Sequence, residues 1–314
     1  MGQDLRTHFK KIEGGSLMNV RFGIDLGGTK TEIIALDAVG AELLRERRPT
    51  PAHSYEAIVE NVASMVLTAE AKLGANGTVG IAMPGAISPA SGLVKNSNTT
   101  CIIGRPIDKD LESKLSRPVR LANDANCFAL SEATDGAAKG ASVVFGVIVG
   151  TGTGGGIVVE GKVLGGPNAI AGEWGHNPLP WPLDDERPGP KCYCGKSGCI
   201  ETFLSGPGLA RDHELRSGEK LSGDEIAKGV SPACEATLVR YENRMARALS
   251  SVINVLDPDV IVLGGGVSNI ARLYETVPKI WREFVFSDRV DTKLVKAIHG
   301  DSSGVRGAAW LWPK

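Results

Sequence analysis

Hydrophobic and polar positions along this chain fall into two recurring patterns, and the switches between them mark out the elements. An apolar run over 20–24 meets Asp25 and the pair Gly27-Gly28, and a second β-rich run follows over 31–36. Two such runs around a glycine turn predict a β-hairpin. The device returns in the second half of the chain, where apolar runs over 143–149 and 157–159 flank Gly150-Thr151-Gly152-Thr153-Gly154-Gly155-Gly156. Two similar units in one chain predict two related halves facing each other.

The remaining pattern is that of an α/β protein. In the first half it predicts a strand over 42–47, a helix over 54–73, a strand over 79–83, a helix over 108–115 and a strand over 119–121. Asn123 or Asp124 then caps a helix running to Ala133. In the second half a long helix over 233–256 ends at Asp257-Pro258, and a strand over 259–263 runs into Gly264-Gly265-Gly266. A helix over 270–283 and a last helix after Ser302-Ser303-Gly304 complete the reading.

Length and composition sharpen this picture. A chain of 314 residues exceeds what one core usually supports, so two domains are expected. They are drawn as 20–136 joined by a C-terminal helix at 300–314, and 137–299. Residues 1–19 are polar and end near a Gly-Gly-Ser turn, as a flexible extension does. Lys plus Arg number 35 and Asp plus Glu 36, so no global field favours nucleic acid or an anionic membrane. A small-molecule partner is expected instead. No apolar run is long enough to span a bilayer and the N-terminus lacks the apolar centre of a secretory signal, so the cytoplasm is the expected compartment.

Of the six cysteines, three fall in the spacing Cys192-x-Cys194-x₄-Cys199. With His176 ahead of them they make a four-ligand Cys₃His set. Such a set has no open position, which points to a structural zinc that orders a loop over 175–199. The competing readings are a redox pair or unconnected thiols. Zinc does not by itself explain why the spacer over 177–191 is long and proline-rich.

The glycine turns carry the other chemistry. Glycines let backbone N–H groups approach a phosphate closely. Gly27, Gly28, Thr29 and Lys30 at the first tip, and Gly150, Thr151, Gly152, Gly154 and Gly155 at the second, are candidates to bind a nucleotide. Each alone is equally a tight turn, and neither matches a P-loop or a dinucleotide-binding fingerprint. Gly264 and Gly265, after a buried strand, have the flatness to cover an adenosine. Asp25 is placed either to brace its turn or to hold Mg²⁺ through water beside the phosphates. Asp124 is either a helix cap or an acceptor for the proton of a substrate hydroxyl. Glu173 and Glu201 bracket the cysteine cluster, either as solvated side chains or as acceptors for polyol hydroxyls.

Together, Asp25-x-Gly27-Gly28-Thr29-Lys30, Asn123-Asp124-Ala125-Asn126, Gly150-Thr151-Gly152, Glu173-x-Gly175-His176 and Cys192-x-Cys194-Gly195-x₂-Gly198-Cys199-x-Glu201 stand in one order. That series resembles the ROK family of sugar kinases and repressors, from about Val20 to the end. The segments EWGHNPLPW, LANDANC, LDPDVIVLGGG and HGDSSGVRGAAWLWP look most like its fructokinase/mannokinase branch. The resemblance implies an actin-like ATPase (ribonuclease H-like) fold, with two α/β domains around a central cleft, ATP on the glycine hairpins and a zinc-bound loop. It implies Asp124 as general base, and Gly85, Asn123, Glu173, His176 and Glu201 around the sugar, with His176 also binding zinc. It implies ATP-dependent phosphorylation of a hexose, D-fructose first and mannose or glucose beside it, by a homodimer. N-acetylglucosamine kinase or glucokinase is the runner-up. A repressor or silent sugar sensor of the family is the alternative of another class; repressors carry a DNA-binding unit in front, for which 19 residues are too few. The spacer between His176 and Cys192 is longer than in many family members.

Overall fold

A computed structural model describes residues 20–300 and 303–313. The predicted extension over 1–19, and residues 301, 302 and 314 of the predicted C-terminal helix segment, lie outside these. Strands β1 (Val20–Leu26) and β2 (Lys30–Leu36) form the first hairpin and are buried along nearly their whole length, as befits inner strands covered on both faces. β3 (Glu42–Pro49) pairs antiparallel with β2 and alternates exposed with half-buried positions. Helix α1 (Tyr55–Leu73) starts at Ser54, whose side chain accepts from Ala57 N, and stops at Gly74 in the left-handed region. There follow β4 (Gly77–Met83), the small ribbon β5 (Ala86–Ile87) and β6 (Val94–Lys95), α2 (Ile107–Leu115), β7 (Val119–Asn123) and α3 (Asp124–Thr134).

The second half runs β8 (Val143–Val149), β9 (Thr153–Val159), β10 (Lys162–Val163), an irregular loop, α4 (Ile200–Leu204), α5 (Gly206–Ser217), α6 (Gly223–Lys228), α7 (Pro232–Leu256), β11 (Val260–Gly264), α8 (Leu273–Ile280), β12 (Lys293–Lys296) and α9 (Ser303–Ala309). The two sheets, ordered β3-β2-β1-β4-β7 and β10-β9-β8-β11-β12, repeat one scheme. In each, a hairpin is extended by an antiparallel strand on one side and by two parallel strands on the other. The internal repeat read from the two glycine hairpins is therefore a repeat of whole sheets.

Two helices cross between the sheets. α3 packs on β8 and β9, while α9 packs on β1, β2 and β4 and against α3. The approach is backbone to backbone: a Cβ added at Gly23, Gly80 or Gly307 would lie 2.1 Å from Val305 O, 1.9 Å from Ala308 O or 1.7 Å from Cys127 O. Any side chain there drives α9 off the sheet or off α3. At the far end of α3 the fully buried Glu132 accepts from the N–H groups of Ala137, Ile298 and His299 and from the Ser303 hydroxyl. One carboxylate thereby ties α3 to the start of α9.

Two expectations need correction. The second glycine turn is only Gly150 to Gly152, because β9 already begins at Thr153 and Gly154, Gly155 and Gly156 belong to the strand. Their missing side chains make room for neighbours: a Cβ at Gly156 would lie 2.4 Å from Ala125 O, and one at Gly155 2.8 Å from Gly172 O. The helix expected over 270–283 is α8 with a 3₁₀ turn on either side, at Gly266–Asn269 and Trp281–Glu283. Pro278 lies inside α8, where its missing N–H removes a ladder bond.

Candidate active site

The ends of β1, β7 and β8 converge where α3 begins. Asn123, not Asp124, is the cap of α3: its Oδ1 accepts from Asn126 N at 2.8 Å. Asp124 is thereby released from capping and stands in the first turn, with Oδ1 accepting from Ala125 N at 2.8 Å. The Asp124 side chain keeps contact with water in the cleft, but protein crowds it from several sides. That partial desolvation raises its pKa above the usual carboxylate range, while the Ala125 N–H opposes the shift.

Asp25 sits at the end of β1, opposite Glu32 in the register of the first hairpin. Its pKa rises from an ordinary 3.8 to about 6, through burial first and then through the negative charges of Asp124 and Glu32. Lys30 and Arg47 pull the other way. A desolvated carboxylate whose pKa is raised further by a second carboxylate nearby is a site that favours a cation, which is the chemistry a magnesium ion needs. Lys30 itself is exposed at the start of β2.

The glycines divide by what stands in front of their missing side chains. Gly150 and Gly266 face open space, and Gly28 has only the Thr99 hydroxyl, 3.8 Å from an added Cβ. No other part of the protein crowds these three on that side, although the Gly150 N–H is itself held by Gly152 O at 2.9 Å. Gly264 and Gly265 are packed on that side: an added Cβ would lie 2.5 Å from the Phe128 ring or 2.4 Å from Val149 O. Their missing side chains make room for packing at the strand end, and Gly266 is the open member of the triple glycine. Thr29 and Thr151 lie exposed at the two tips and Gly27 half-buried, with the Gly27 N–H closing the first turn on Lys30 O at 3.1 Å.

A cavity of about 1240 Å³ opens beside Asn123 and Glu173, walled by Ala86, Ile87, Ala122 and Asn126 among others. Gly85 is not part of that wall. Its φ of 86° turns the chain under the ribbon, and an added Cβ would lie 2.3 Å from Lys95 O. Lys95 was not singled out in the sequence, yet its Nζ donates to Asn168 O at 2.8 Å, tying the small ribbon to the loop that carries Glu173. Burial raises the Glu173 pKa, His176 and Lys95 oppose the rise, and Asp124 and Glu201 add to it. Glu201 also reaches the second hairpin, where one carboxylate oxygen accepts from Thr153 N at 2.9 Å. The same oxygen would lie 2.6 Å from a Cβ at Gly152, so that turn position is closed to side chains.

His176, Cys192, Cys194 and Cys199 come together with all ligand atoms within 4.8 Å of one another. His176 Nδ1 is 3.5 Å from Cys192 Sγ, and Cys194 Sγ is 3.6 Å from Cys199 Sγ. A tetrahedral zinc with bonds of about 2.3 Å sets its sulfurs about 3.8 Å apart. The donor set therefore fits zinc, and the sulfurs are too far apart for a disulfide. The other imidazole nitrogen, Nε2, lies 2.9 Å from the Tyr193 hydroxyl.

The spacer now has a physical account. Glu186, carried by the 3₁₀ turn Asp184–Glu186, is buried against α7, where it meets Arg244 Nε at 2.7 Å and Arg247 Nη2 at 2.8 Å. Arg247 also donates to Pro180 O and Trp181 O, at 3.1 and 2.7 Å. The spacer is long because it reaches α7 and returns to Cys192. Burial works against the Glu186 carboxylate, but the hydrogen bonds from Arg247 and Arg244 hold its pKa down at about 2.

Comparison with known proteins agrees with this geometry. The ROK family profile matches residues 21–314. An N-acetyl-D-glucosamine kinase of Vibrio cholerae is 42% identical over 298 residues, covering 92% of this chain and 98% of that one. That of Photobacterium profundum is 41% identical with the same coverage. Among solved structures, a ROK hexokinase from Thermus thermophilus superposes with a TM-score of 0.82 at 32% identity, over 93% of this chain and 97% of that one. A ROK glucokinase from Streptomyces griseus, solved with glucose and AMPPNP, superposes with a TM-score of 0.71 at 26% identity, over 92% and 98%. With these likenesses spanning nearly its whole length, the chain belongs to the ROK family, as a sugar kinase on the actin-like ATPase fold.

Proposed function

We propose that the chain transfers the γ-phosphoryl group of ATP to a hexose hydroxyl, with D-fructose as first acceptor, giving fructose 6-phosphate, and mannose or glucose as lesser ones. The observation that carries the transfer reading is Asp124: a carboxylate released from capping, with a raised pKa, at the strand ends between two open glycine tips. One of its oxygens is occupied by Ala125 N and the other remains to accept the proton of the attacking hydroxyl. Asn123 has its oxygen committed to the cap, so it meets the sugar through its amide N–H₂. Glu173 accepts from sugar hydroxyls, as does the second oxygen of Glu201. Backbone N–H groups at Gly28 and at the Thr151-Gly152 tip receive the phosphates, with Gly266 beside the adenosine. Asp25 holds Mg²⁺, which supplies charge neutralisation on the phosphates when bound. The Cys₃His set holds structural zinc, which keeps Glu173 and Glu201 at the two ends of one ordered loop. Closure of the two halves excludes water as a competing acceptor. We place the enzyme in the cytoplasm, where free thiols persist, and infer a homodimer from the family resemblance.

Fructose rests on the likeness of the segments around Glu173, Asn123 and the C-terminus to the fructokinase branch. N-acetyl-D-glucosamine is the second reading, favoured by the relatives at about 40% identity and by apolar walls at Ala86, Ile87 and Ala122 with room for an acetamido group. A coupled ADP-release assay with MgATP tests both. Hexose-dependent ADP formation is expected, with fructose giving the highest kcat/KM. A higher kcat/KM for N-acetylglucosamine overturns the fructose assignment, and no hexose-dependent ADP overturns the kinase assignment.

A further inference from the structure

Thr50 has no part in the transfer described above, yet it holds the tip of the first glycine hairpin by two of its carbonyls. It follows directly on β3, between Pro49 and Pro51, and the second proline confines its backbone to extended conformations. From that fixed place it makes three contacts around the tip. Its hydroxyl donates to Gly27 O at 2.7 Å, its N–H donates to Thr29 O at 3.0 Å, and its oxygen lies 2.9 Å from the hydroxyl of the buried Thr31. Because the Thr50 proton is committed to Gly27 O, Thr31 is the donor in the last pair. The two hydroxyls form one chain that ends on the Gly27 carbonyl.

These bonds decide which way the tip presents its backbone. The peptide units here are trans, and in a trans unit the C=O and the N–H that follows it point in opposite directions. Holding Gly27 O and Thr29 O toward Thr50 therefore turns the N–H groups of Gly28 and Lys30 away from it. Gly28 is exposed, and its N–H has no acceptor among the described residues. The second tip repeats the arrangement: Gly150 O accepts from Gly206 N at 2.8 Å, which turns the Thr151 N–H away from α5. In both hairpins the first residue after the strand has its carbonyl taken by a donor from outside the hairpin. A carbonyl left unheld there is free to rotate toward a phosphate and repel it.

We propose that Thr50 is a positioning residue for the nucleotide: by tying back the Gly27 and Thr29 carbonyls it keeps the Gly28 N–H aimed at a phosphate of ATP. The inference deepens the reading that the first tip receives phosphates, and it rests on that reading. Thr50 acts through the backbone and is assigned no contact with either substrate. The peptide it steers joins two glycines, Gly27 and Gly28, whose own torsions give it little resistance to turning. Of the donors that hold the two tips, only the Thr50 hydroxyl is a side chain, so it is the one that substitution can remove. Thr50→Val deletes that hydroxyl and keeps the branched shape and the N–H to Thr29.

The test compares Thr50→Val and Thr50→Ser with the wild type by calorimetry, with Mg-AMPPNP as a non-hydrolysable ATP analogue and with hexose alone, and by KM for MgATP and for hexose. In the Val variant the Mg-AMPPNP Kd and the MgATP KM should rise about 3- to 10-fold, the worth of one neutral hydrogen bond, while hexose Kd stays within about twofold. The Ser variant restores the donor and should bind both ligands as the wild type does. Unchanged Mg-AMPPNP affinity in the Val variant overturns the inference. So does an equal loss for nucleotide and hexose, or a Ser variant as weak as the Val one, since either means packing rather than the hydroxyl. Gly28→Ala separates this inference from the reading beneath it: the protein has room for that methyl, which crowds a phosphate bound at the tip, so Mg-AMPPNP affinity should fall. If Gly28→Ala and Thr50→Val both bind as the wild type does, the phosphate reading of the tip falls; if Gly28→Ala alone is weakened, Thr50 alone is removed.

Discussion

Replacing Asp25 by Asn should stabilise the protein while crippling it. In the absence of metal the Asp25 carboxyl has its pKa raised from 3.8 to about 6 by burial and by its neighbours Asp124 and Glu32. Each pKa unit is worth about 1.36 kcal/mol, so ionising Asp25 destabilises the folded state by about 3 kcal/mol. The sign follows from linkage: below pH 3.8 the group is protonated whether folded or unfolded and there is no penalty. The penalty then builds as pH rises and is complete above about 6. Asn cannot ionise and escapes it. For a chain of this size about 2 °C of Tm accompanies each kcal/mol, so the metal-free variant should melt about 6 °C above the wild type at pH 8 and level with it near pH 3.5. Scanning calorimetry with chelator across that range reads the difference directly. Turnover with MgATP should fall about a hundredfold, as when one preorganised charge is removed from a transfer site. A variant no more stable than the wild type at pH 8, or stabilised equally at every pH, would refute the reasoning.

Other perturbations separate the parts of the site. Asp124→Asn should lower kcat by about 10²- to 10⁴-fold while hexose affinity by calorimetry stays within a few-fold, and near-normal turnover would remove Asp124 from its role. Stripping zinc with a chelator should weaken hexose binding more than nucleotide binding, because Glu173 and Glu201 hang from the loop; equal weakening of both, or of neither, contradicts that account. Glu186→Ala should destabilise the protein by about 3 kcal/mol, since it takes the carboxylate from the buried Arg247 and leaves the buried Arg244 with Asp212 alone. With its pKa held at about 2, Glu186 contributes stability above pH 4.5 that disappears as pH falls through about 2, so the deficit measured by denaturant titration should be largest at neutral pH.

What the sequence disclosed and what it hid follow from the range of the forces involved. The first hairpin, the long helices and the metal cluster were legible because their signals are local: alternating apolar runs, a serine cap before α1, four ligands in one loop. β12 was missed because Lys293–Lys296 is four residues of mixed polarity whose strand character comes from pairing with β11. α5 was missed because Gly206-Pro207-Gly208 looks like a turn, although Ser205 caps it and proline suits a helix start. The run Gly154 to Gly156 was read as a turn because glycine reports that space is needed without saying for what; here the need comes from Ala125, Gly172 and Trp174. Glu186 carries no local signal of its role, because only the fold brings Arg244 and Arg247 to it from α7. Tyr193 stood in plain view between two cysteines, but its partner lies 17 residues away, across the loop that the cluster closes.

The central claim is that this cleft phosphorylates a hexose, with fructose as its preferred acceptor. The most direct measurement is kcat/KM by coupled ADP release with MgATP over fructose, mannose, glucose and N-acetylglucosamine. The account predicts sugar-dependent turnover led by fructose and reduced by orders of magnitude in Asp124→Asn. Turnover led by N-acetylglucosamine would contradict the acceptor, and ADP release indifferent to every hexose would contradict the kinase.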